Sequence, residues 1–277
     1  MTKIAVMADV HGNVTALKAA IADAQQQGCT TYWFLGDLFL PGPGTTELLT
    51  MLDALPIEAY VMGNWESTLL EALDHPFKPR NAIDIYYTCL ADYAYHRLST
   101  QALQRIRQLP LVQTKTIAGL QYQLTHNELA KNWGGALMPT ENQPAFDDLS
   151  SRQADVMVYA HIHHQLLRQS SAGQLILNPG TIGMPFQNWS HFATDLRAQY
   201  AIITPQPSGA VPEVDFRRVA YDADAELALA QAKQLPYLPL YDEQLHTGVV
   251  HTHDEPTLQA MTKRLGYDQQ LDQLLKP

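Results

Sequence analysis

Seven polar side chains stand where apolar runs end: Asp9, His11, Asp37, Asn64, His126, His161 and His163. Carboxylate, imidazole and amide oxygen together suit borderline or hard divalent ions such as Mn²⁺, Fe²⁺ and Zn²⁺, whereas an all-oxygen cage would point to Mg²⁺ or Ca²⁺. The set is too large for one ion. Two ions about 3.5–4 Å apart need a shared bridge, which a carboxylate with two oxygens supplies, and a hydroxide held between them becomes a nucleophile. Asp37 is the candidate bridge. Any one Asp or His at a strand end is more often a turn former or a satisfied polar group, so the joint set carries the reading.

Positioning these groups falls to alternating strands and helices. Lys3 to Ala8 is β-rich and is closed by Asp9-Val10-His11-Gly12-Asn13, after which Val14 to Gln27 has apolar residues at helical spacing and stops at Gly28. The unit recurs with Thr31 to Leu35, the breaker run Pro41-Gly42-Pro43-Gly44 and a helix over Thr45 to Ala54. A third strand, Ile57 to Met62, ends at Gly63-Asn64. In open α/β sheets ligands collect beyond the carboxyl ends of the strands, where Asp9, His11, Asp37 and Asn64 all fall.

The second half changes character. Leu120 to Leu124, Val156 to Tyr159, Leu175 to Leu177, Tyr200 to Ile203 and Val214 to Val219 are short β-like runs, expected to form a second sheet packed on the first. Between the halves, His75 to Pro110 is too long for a simple connection, so residues 75–115 are a candidate cap insertion. After Tyr221 the chain reads as helix from Ala223 to Gln234, a Pro- and His-containing connection, and helix from Pro256 to Leu275. The expected division is a main domain over 1–221 and a helical extension over 222–277, the latter a candidate oligomer contact.

Composition narrows the class. The 277 residues are 46% hydrophobic and 17% charged, with no apolar stretch long enough to span a bilayer. No secretory h-region opens the chain, which makes a cytoplasmic location the expectation. Cys29 and Cys89 suggest neither a disulfide framework nor a metal knuckle. A net charge of −10 opposes nonspecific nucleic-acid binding and is compatible with holding divalent cations.

Asp9-Val10-His11, Gly36-Asp37, Gly63-Asn64, His126 and Ala160-His161-Ile162-His163, in that order, resemble the calcineurin-like metallophosphoesterase family, in its bacterial phosphodiesterase-like branch. Asn178-Pro179-Gly180-Thr181 resembles the family's turn after the His pair, and the similarity runs from about Met1 to Tyr221. The resemblance implies an α/β fold, a four-layer α/β/β/α sandwich of two mixed sheets. It implies that Asp9, His11 and His163 hold one metal, that Asn64, His126 and His161 hold the other, and that Asp37 bridges them. Manganese is the first expectation for both sites, with iron, zinc or nickel as alternatives. Asp37, Asn64 and His126 are then also the catalytic candidates.

Three departures bear on chemistry. Relatives often carry His after the Gly-Asn pair, where it touches phosphate or protonates the leaving group, but here Trp65-Glu66 follows. Ala160 replaces the usual Gly before the His pair, and Gly183-Met184-Pro185-Phe186 replaces a polar or basic segment. A missing acid matters least when the leaving group is itself acidic, which fits phosphoanhydrides and activated diesters. Trp65, together with the resemblance to bacterial proteins that split dinucleoside tetraphosphates, implies phosphodiesters or nucleotide polyphosphates, dinucleoside tetraphosphates among them. The alternatives are a phosphomonoesterase or protein phosphatase using His164, His191 or a metal-ordered water as donor, and a metal-binding scaffold without turnover. Asn13, Trp65 and His164 are the candidate substrate contacts. Trp65 with Tyr86, Tyr87, Tyr93 and Tyr95 could stack a base, although packing is the commoner use of such a cluster. His246, His251, His253 and Asp254 are read as a solvated loop rather than another metal site.

Overall fold

In the computed structural model, residues 2–74, 79–149, 153–187, 189–270 and 274 are described. Strand β1 (Ile4–Met7) is buried at every position because both of its faces are covered. Ile4 and Val6 enter one apolar core while Ala5 and Met7 enter another. Helix α1 (Val14–Gln26) starts where the Asn13 side chain accepts the Ala16 N–H. It leads to β2 (Thr31–Phe34), helix α2 (Thr46–Asp53) and β3 (Ile57–Tyr60), and the three strands pair in parallel. Helices α3 (Asn64–Asp74), α4 (Ala82–Tyr95) and α5 (Thr100–Arg107) follow.

The second sheet is built from β4 (Val112–Ile117), β5 (Leu120–Thr125), β6 (Val156–Val158), β7 (Gln165–Gln169) and β8 (Leu175–Pro179), with α6 (Gln143–Leu149) between β5 and β6. Its order is β4-β5-β6-β8-β7. The chain then returns to the first sheet: β9 (Ala198–Thr204) pairs antiparallel with β1, and β10 (Glu213–Val219) pairs antiparallel with β9. The runs at Tyr200 and Val214, expected in the second sheet, thus complete the order β10-β9-β1-β2-β3. The physical reason is the edge of β1, whose N–H and C=O groups β9 pairs while setting Tyr200 and Ile202 in one core and Ala201 and Ile203 in the other.

The result is the four-layer α/β/β/α arrangement of two mixed five-stranded sheets. Val6, Trp33, Val61, Leu124, Val158 and Leu177 meet between the sheets. Helices α1 to α5 cover the first sheet, and Phe146 and Leu149 of α6 cover the second against Met157 and Ile176. Among the described residues no helix is long and apolar enough to cross a membrane, and both cysteines are free and buried.

The C-terminal region contains α7 (Ala223–Ala232), α8 (Leu238–Thr247) and α9 (Glu255–Leu265). Helix α8 lies in what reads as a connection, because Pro239 looks like a breaker. It occupies the first turn instead, where its missing N–H is not needed, and Gly248 closes the helix at φ 73°. The final expected helix stops at Leu265; residues 271–273 and 275 lie outside those described.

Two buried or half-buried carboxylates of this region cap helices elsewhere. Glu226 accepts from the N–H groups of Val14 (3.2 Å) and Thr15 (2.8 Å) at the start of α1. Glu255 accepts from Ala82 (2.8 Å) and Ile83 (3.1 Å) at the start of α4. Negative charge at a helix N-terminus meets both the unpaired N–H groups and the positive end of the dipole. Glu226→Ala is accordingly expected to cost about 1–3 kcal/mol, read as a lower urea midpoint at unchanged slope. A midpoint matching the wild type would show that α1 does not depend on this docking.

Candidate metal centre

The residues singled out at strand ends sit in loops whose backbone is itself unusual. Asp9, His11, Asp37, His161 and His163 all have positive φ, between 50° and 69°. Left-handed backbone costs a non-glycine residue about 1–2 kcal/mol. Such strain persists where surrounding structure over-determines it, and it clusters at functional sites. Here it turns successive side chains of the β1 loop, and both histidines of the 161–163 loop, toward one point.

Two ligand groups result. Asp9, His11 and His163 form one, and Asp37, His126 and His161 the other, with the donor atoms of each group within 4.8 Å of one another. Asn64 joins the second group: its Oδ1 lies 3.0 Å from His126 Nε2 and 2.8 Å from His161 Nδ1. Asp37 Oδ2 lies 3.4 Å from His126 Nε2 and 3.7 Å from His11 Nε2, so one carboxylate reaches a histidine of each group. Atoms bonded at about 2.0–2.2 Å to a common ion sit at mutual distances of this order.

The tautomers support a cation at the centre. His11 Nδ1 donates to the Leu40 carbonyl (2.8 Å), His126 Nδ1 to Leu35 (2.6 Å) and His163 Nδ1 to Met184 (2.8 Å). When Nδ1 carries the proton, a neutral ring presents a lone pair at Nε2, the orientation in which metal-bound histidines are held. His11 and His163 then face each other Nε2 to Nε2 at 3.0 Å, an arrangement that needs a positive charge between them. Asp9 Oδ1 is buried without a hydrogen-bond partner and lies 3.6 Å from His163 Nε2. The residues fit two divalent ions.

Electrostatics agree. Burial pushes the Asp9 carboxyl well above its usual range. Burial would also raise Asp37, but His126, with His11 and the Trp65 N–H, outweighs it and holds Asp37 well below the usual carboxylate range. His126 is disfavoured as a cation by burial, yet Asp37 and Asp9 push it up to about 9. Burial holds His161 down at about 4 and lowers His11 and His163 as well. His11, His161 and His163 are thus held as neutral imidazoles and Asp37 as an anion, the states a metal site uses, whereas Asp9 and His126 are pushed toward protonation and would release a proton to a bound cation.

One positioning residue escaped the reading of the sequence. Glu66 is 0% exposed, and its carboxylate accepts from Asp37 N–H (2.8 Å), Leu38 N–H (2.7 Å) and Gly63 N–H (2.9 Å). It thereby ties the Asp37 loop to the start of α3, which carries Asn64. Its signal is local: Gly63 and Glu66 stand at the spacing by which a glutamate in the first turn reaches back to the cap N–H. Gly63 must be glycine, since a Cβ there would strike Asp37. The turn at Asn178 does similar service: Asn178 Nδ2 donates to the Ala160 carbonyl (2.8 Å) and Thr181 Oγ1 to the Asp9 carbonyl (2.8 Å).

Both groups open onto a cavity of about 1240 Å³ lined by His11, Asp37, Asn64, Trp65, His161 and His163. Trp65 is 6% exposed and lies between His11 and Tyr87, at 5.9 and 5.1 Å between ring centroids. Asn13 is fully buried as the cap of α1, and His164 donates to the Ile162 carbonyl and packs on Phe186; neither lines the cavity. Tyr86 and Tyr93 belong to the core, whereas Tyr87 reaches the cavity. Met184 and Phe186 line it too, so the segment in which a polar run was missing supplies an apolar wall and the acceptor for His163. The tail departs from the expected solvated loop: His253 and Asp254 form part of the wall, and His251 is held between Glu243 and Asp254 at 3.0 Å each.

Known proteins share this architecture. A crystal structure of a hypothetical protein from Pyrococcus horikoshii superposes with a TM-score of 0.72 at 18% identity, over 90% of this chain and 100% of that one. A metallophosphoesterase from Sphaerobacter thermophilus gives 0.66 at 24% identity, over 90% of this chain and 100% of that one. An uncharacterized protein of Methanocaldococcus jannaschii is 26% identical over 237 residues, 79% of this chain and 88% of the relative. Residues 2–203 match the calcineurin-like phosphoesterase superfamily domain, and the chain belongs to that family.

Proposed function

We propose that the protein hydrolyses phosphodiesters or nucleotide polyphosphates, dinucleoside tetraphosphates among them, using two divalent ions, manganese first. The observation that carries the substrate class is the cavity beside the two ligand groups. At about 1240 Å³ it exceeds what a simple phosphate monoester fills. Its wall holds Trp133, 60% exposed, with Lys131 Nζ 4.8 Å from the ring centroid. An exposed indole beside an ammonium suits a ligand that combines a planar group with phosphates.

Asp9, His11 and His163 would hold one ion and Asn64, His126 and His161 the other, with Asp37 shared. The ions would lower the pKa of a water toward neutrality and neutralise the phosphoryl oxygens as charge develops. The chain's own share is orientation. The carbonyls of Leu40, Leu35 and Met184 fix three imidazoles, Glu66 fixes the Asp37 loop, and Trp65 shields the edge of His11 from solvent. Lys131, half-engaged with Glu128 at 3.0 Å, is placed to attract the substrate's phosphates.

The test is hydrolysis of matched nitrophenyl phosphate monoester and diester by metal-stripped protein, before and after Mn²⁺ is restored. Activity is expected only after restoration, with the diester faster. A faster monoester would replace the substrate class, and silence on both with any added metal would overturn the enzymatic reading in favour of a scaffold.

A further inference from the structure

We propose that His253, on the loop joining α8 to α9, delivers the proton to the leaving oxygen, a role that Trp65 cannot fill. The inference rests on the hydrolytic reading above and deepens it.

Placement comes first. His253 lines the cavity that contains both ligand groups, although it lies in the C-terminal region, far along the chain from Asn64. Its side chain is exposed and makes no hydrogen bond or ion pair with the described residues. Every other described histidine outside the ligand groups is turned elsewhere. His246 is bound to Asp242 and Asp224, His251 to Glu243 and Asp254, and His164 to the Ile162 carbonyl; His96 pairs with Asp92, and His191 stacks with Trp189. None of these lines the cavity.

The loop that carries His253 is fixed on both sides. Gly248 ends α8, His251 is clamped between Glu243 and Asp254, and Asp254 caps α9 through the Thr257 N–H (3.3 Å). Glu255 then anchors α9 to the start of α4. A side chain that lines the cavity is thus carried on a backbone held at several points.

The competing proton donors in the wall are Glu71, Tyr87, Lys131 and Asp254. Burial, then Asp37, pushes Tyr87 up to about 12, which makes it a poor acid near neutrality. Lys131, beside Glu128 and Trp133, serves to attract the phosphates, and Asp254 is occupied by His251 and Thr257. Imidazole is the side chain that exchanges protons near neutral pH.

The step balances simply. Water oxygen bonds to phosphorus, the phosphorus–oxygen bond to the leaving group breaks, and its electron pair stays on the leaving oxygen. The imidazolium N–H proton passes to that oxygen. The attacking water loses one proton to solvent, and the imidazole recovers one from it.

The experiment compares His253→Gln with wild type, both manganese-loaded, on a nitrophenyl phosphodiester and an alkyl phosphodiester. The ratio of activated to alkyl ester rates is expected to rise by about 10²-fold or more, because proton donation matters most for the poorer leaving group. A ratio equal to that of the wild type, whether both rates fall or neither does, overturns the assignment. A second readout is independent of turnover: on the zinc-loaded protein, the histidine ring resonance that His253→Gln removes should shift when inorganic phosphate is added. If it does not move, His253 does not face the phosphate. A wild type inactive on both esters would overturn the hydrolytic reading and this one together, whereas an active wild type with an unchanged ratio in the variant would overturn this one alone.

Discussion

Asp37→Asn lowers hydrolysis by about 10³-fold or more and reduces bound metal from two ions toward one. These are the expected results of removing one charge at nearly constant volume. Asp37 is the carboxylate that faces a histidine of each ligand group, at 3.4 and 3.7 Å. Its other oxygen accepts the Trp65 N–H at 2.8 Å, which fixes the plane of the group. An amide keeps one oxygen but places an NH₂ against atoms that must act as ligands, and it leaves two cations without their shared counter-charge. Metal content by atomic emission and kcat on the diester check both halves. The stripped variant should be less stable than stripped wild type, because His126, His11 and the Trp65 N–H together outweigh burial to favour the Asp37 anion that the substitution removes. Full activity with two ions retained would show that Asp37 does not bridge.

The ligand loops were legible because each apolar strand run stops abruptly at a polar residue, and in a doubly covered sheet such a stop marks the carboxyl edge where ligands gather. The structure adds that five of these positions have left-handed backbone, which no residue pattern announced. What the sequence hid was chiefly long-range pairing. Strand β7, Gln-Leu-Leu-Arg-Gln, is a half-exposed edge strand with little apolar signal, and β9 and β10 read as strands without declaring which sheet they join. The tail misled for a related reason. Charged and histidine-rich residues from Asp242 to Asp254 look solvated in isolation, yet Glu226 and Glu255 bind the N-termini of two helices and bring His253 to the cavity. Contacts between residues separated by roughly the length of a domain carry no local periodicity, so only the folded chain reveals them.

Glu66→Ala is the second large effect expected, and it separates positioning from ligation. Glu66 lies just past Asn64 but touches no proposed ligand side chain. Its carboxylate accepts only backbone N–H groups, of Asp37, Leu38 and Gly63. Burial, with Asp37 adding to it, raises its pKa to about 7, so the backbone N–H groups only partly offset the hydration its charged form loses. Removing it strands three buried donors, at about 1–3 kcal/mol for each that finds no water. The thermal midpoint should drop by several degrees, since about 1 kcal/mol moves a domain of this size by about 2–4 °C. The Asp37 loop and the start of α3 then lose their common anchor, and metal affinity should fall about 10–100-fold, the range found when groups supporting a ligand are removed. Excess Mn²⁺ should therefore restore much of the lost activity in Glu66→Ala, while Asp37→Asn stays inactive at any metal concentration. If added Mn²⁺ rescued neither variant, Glu66 would be acting on the reaction itself rather than on the loops that carry the ligands.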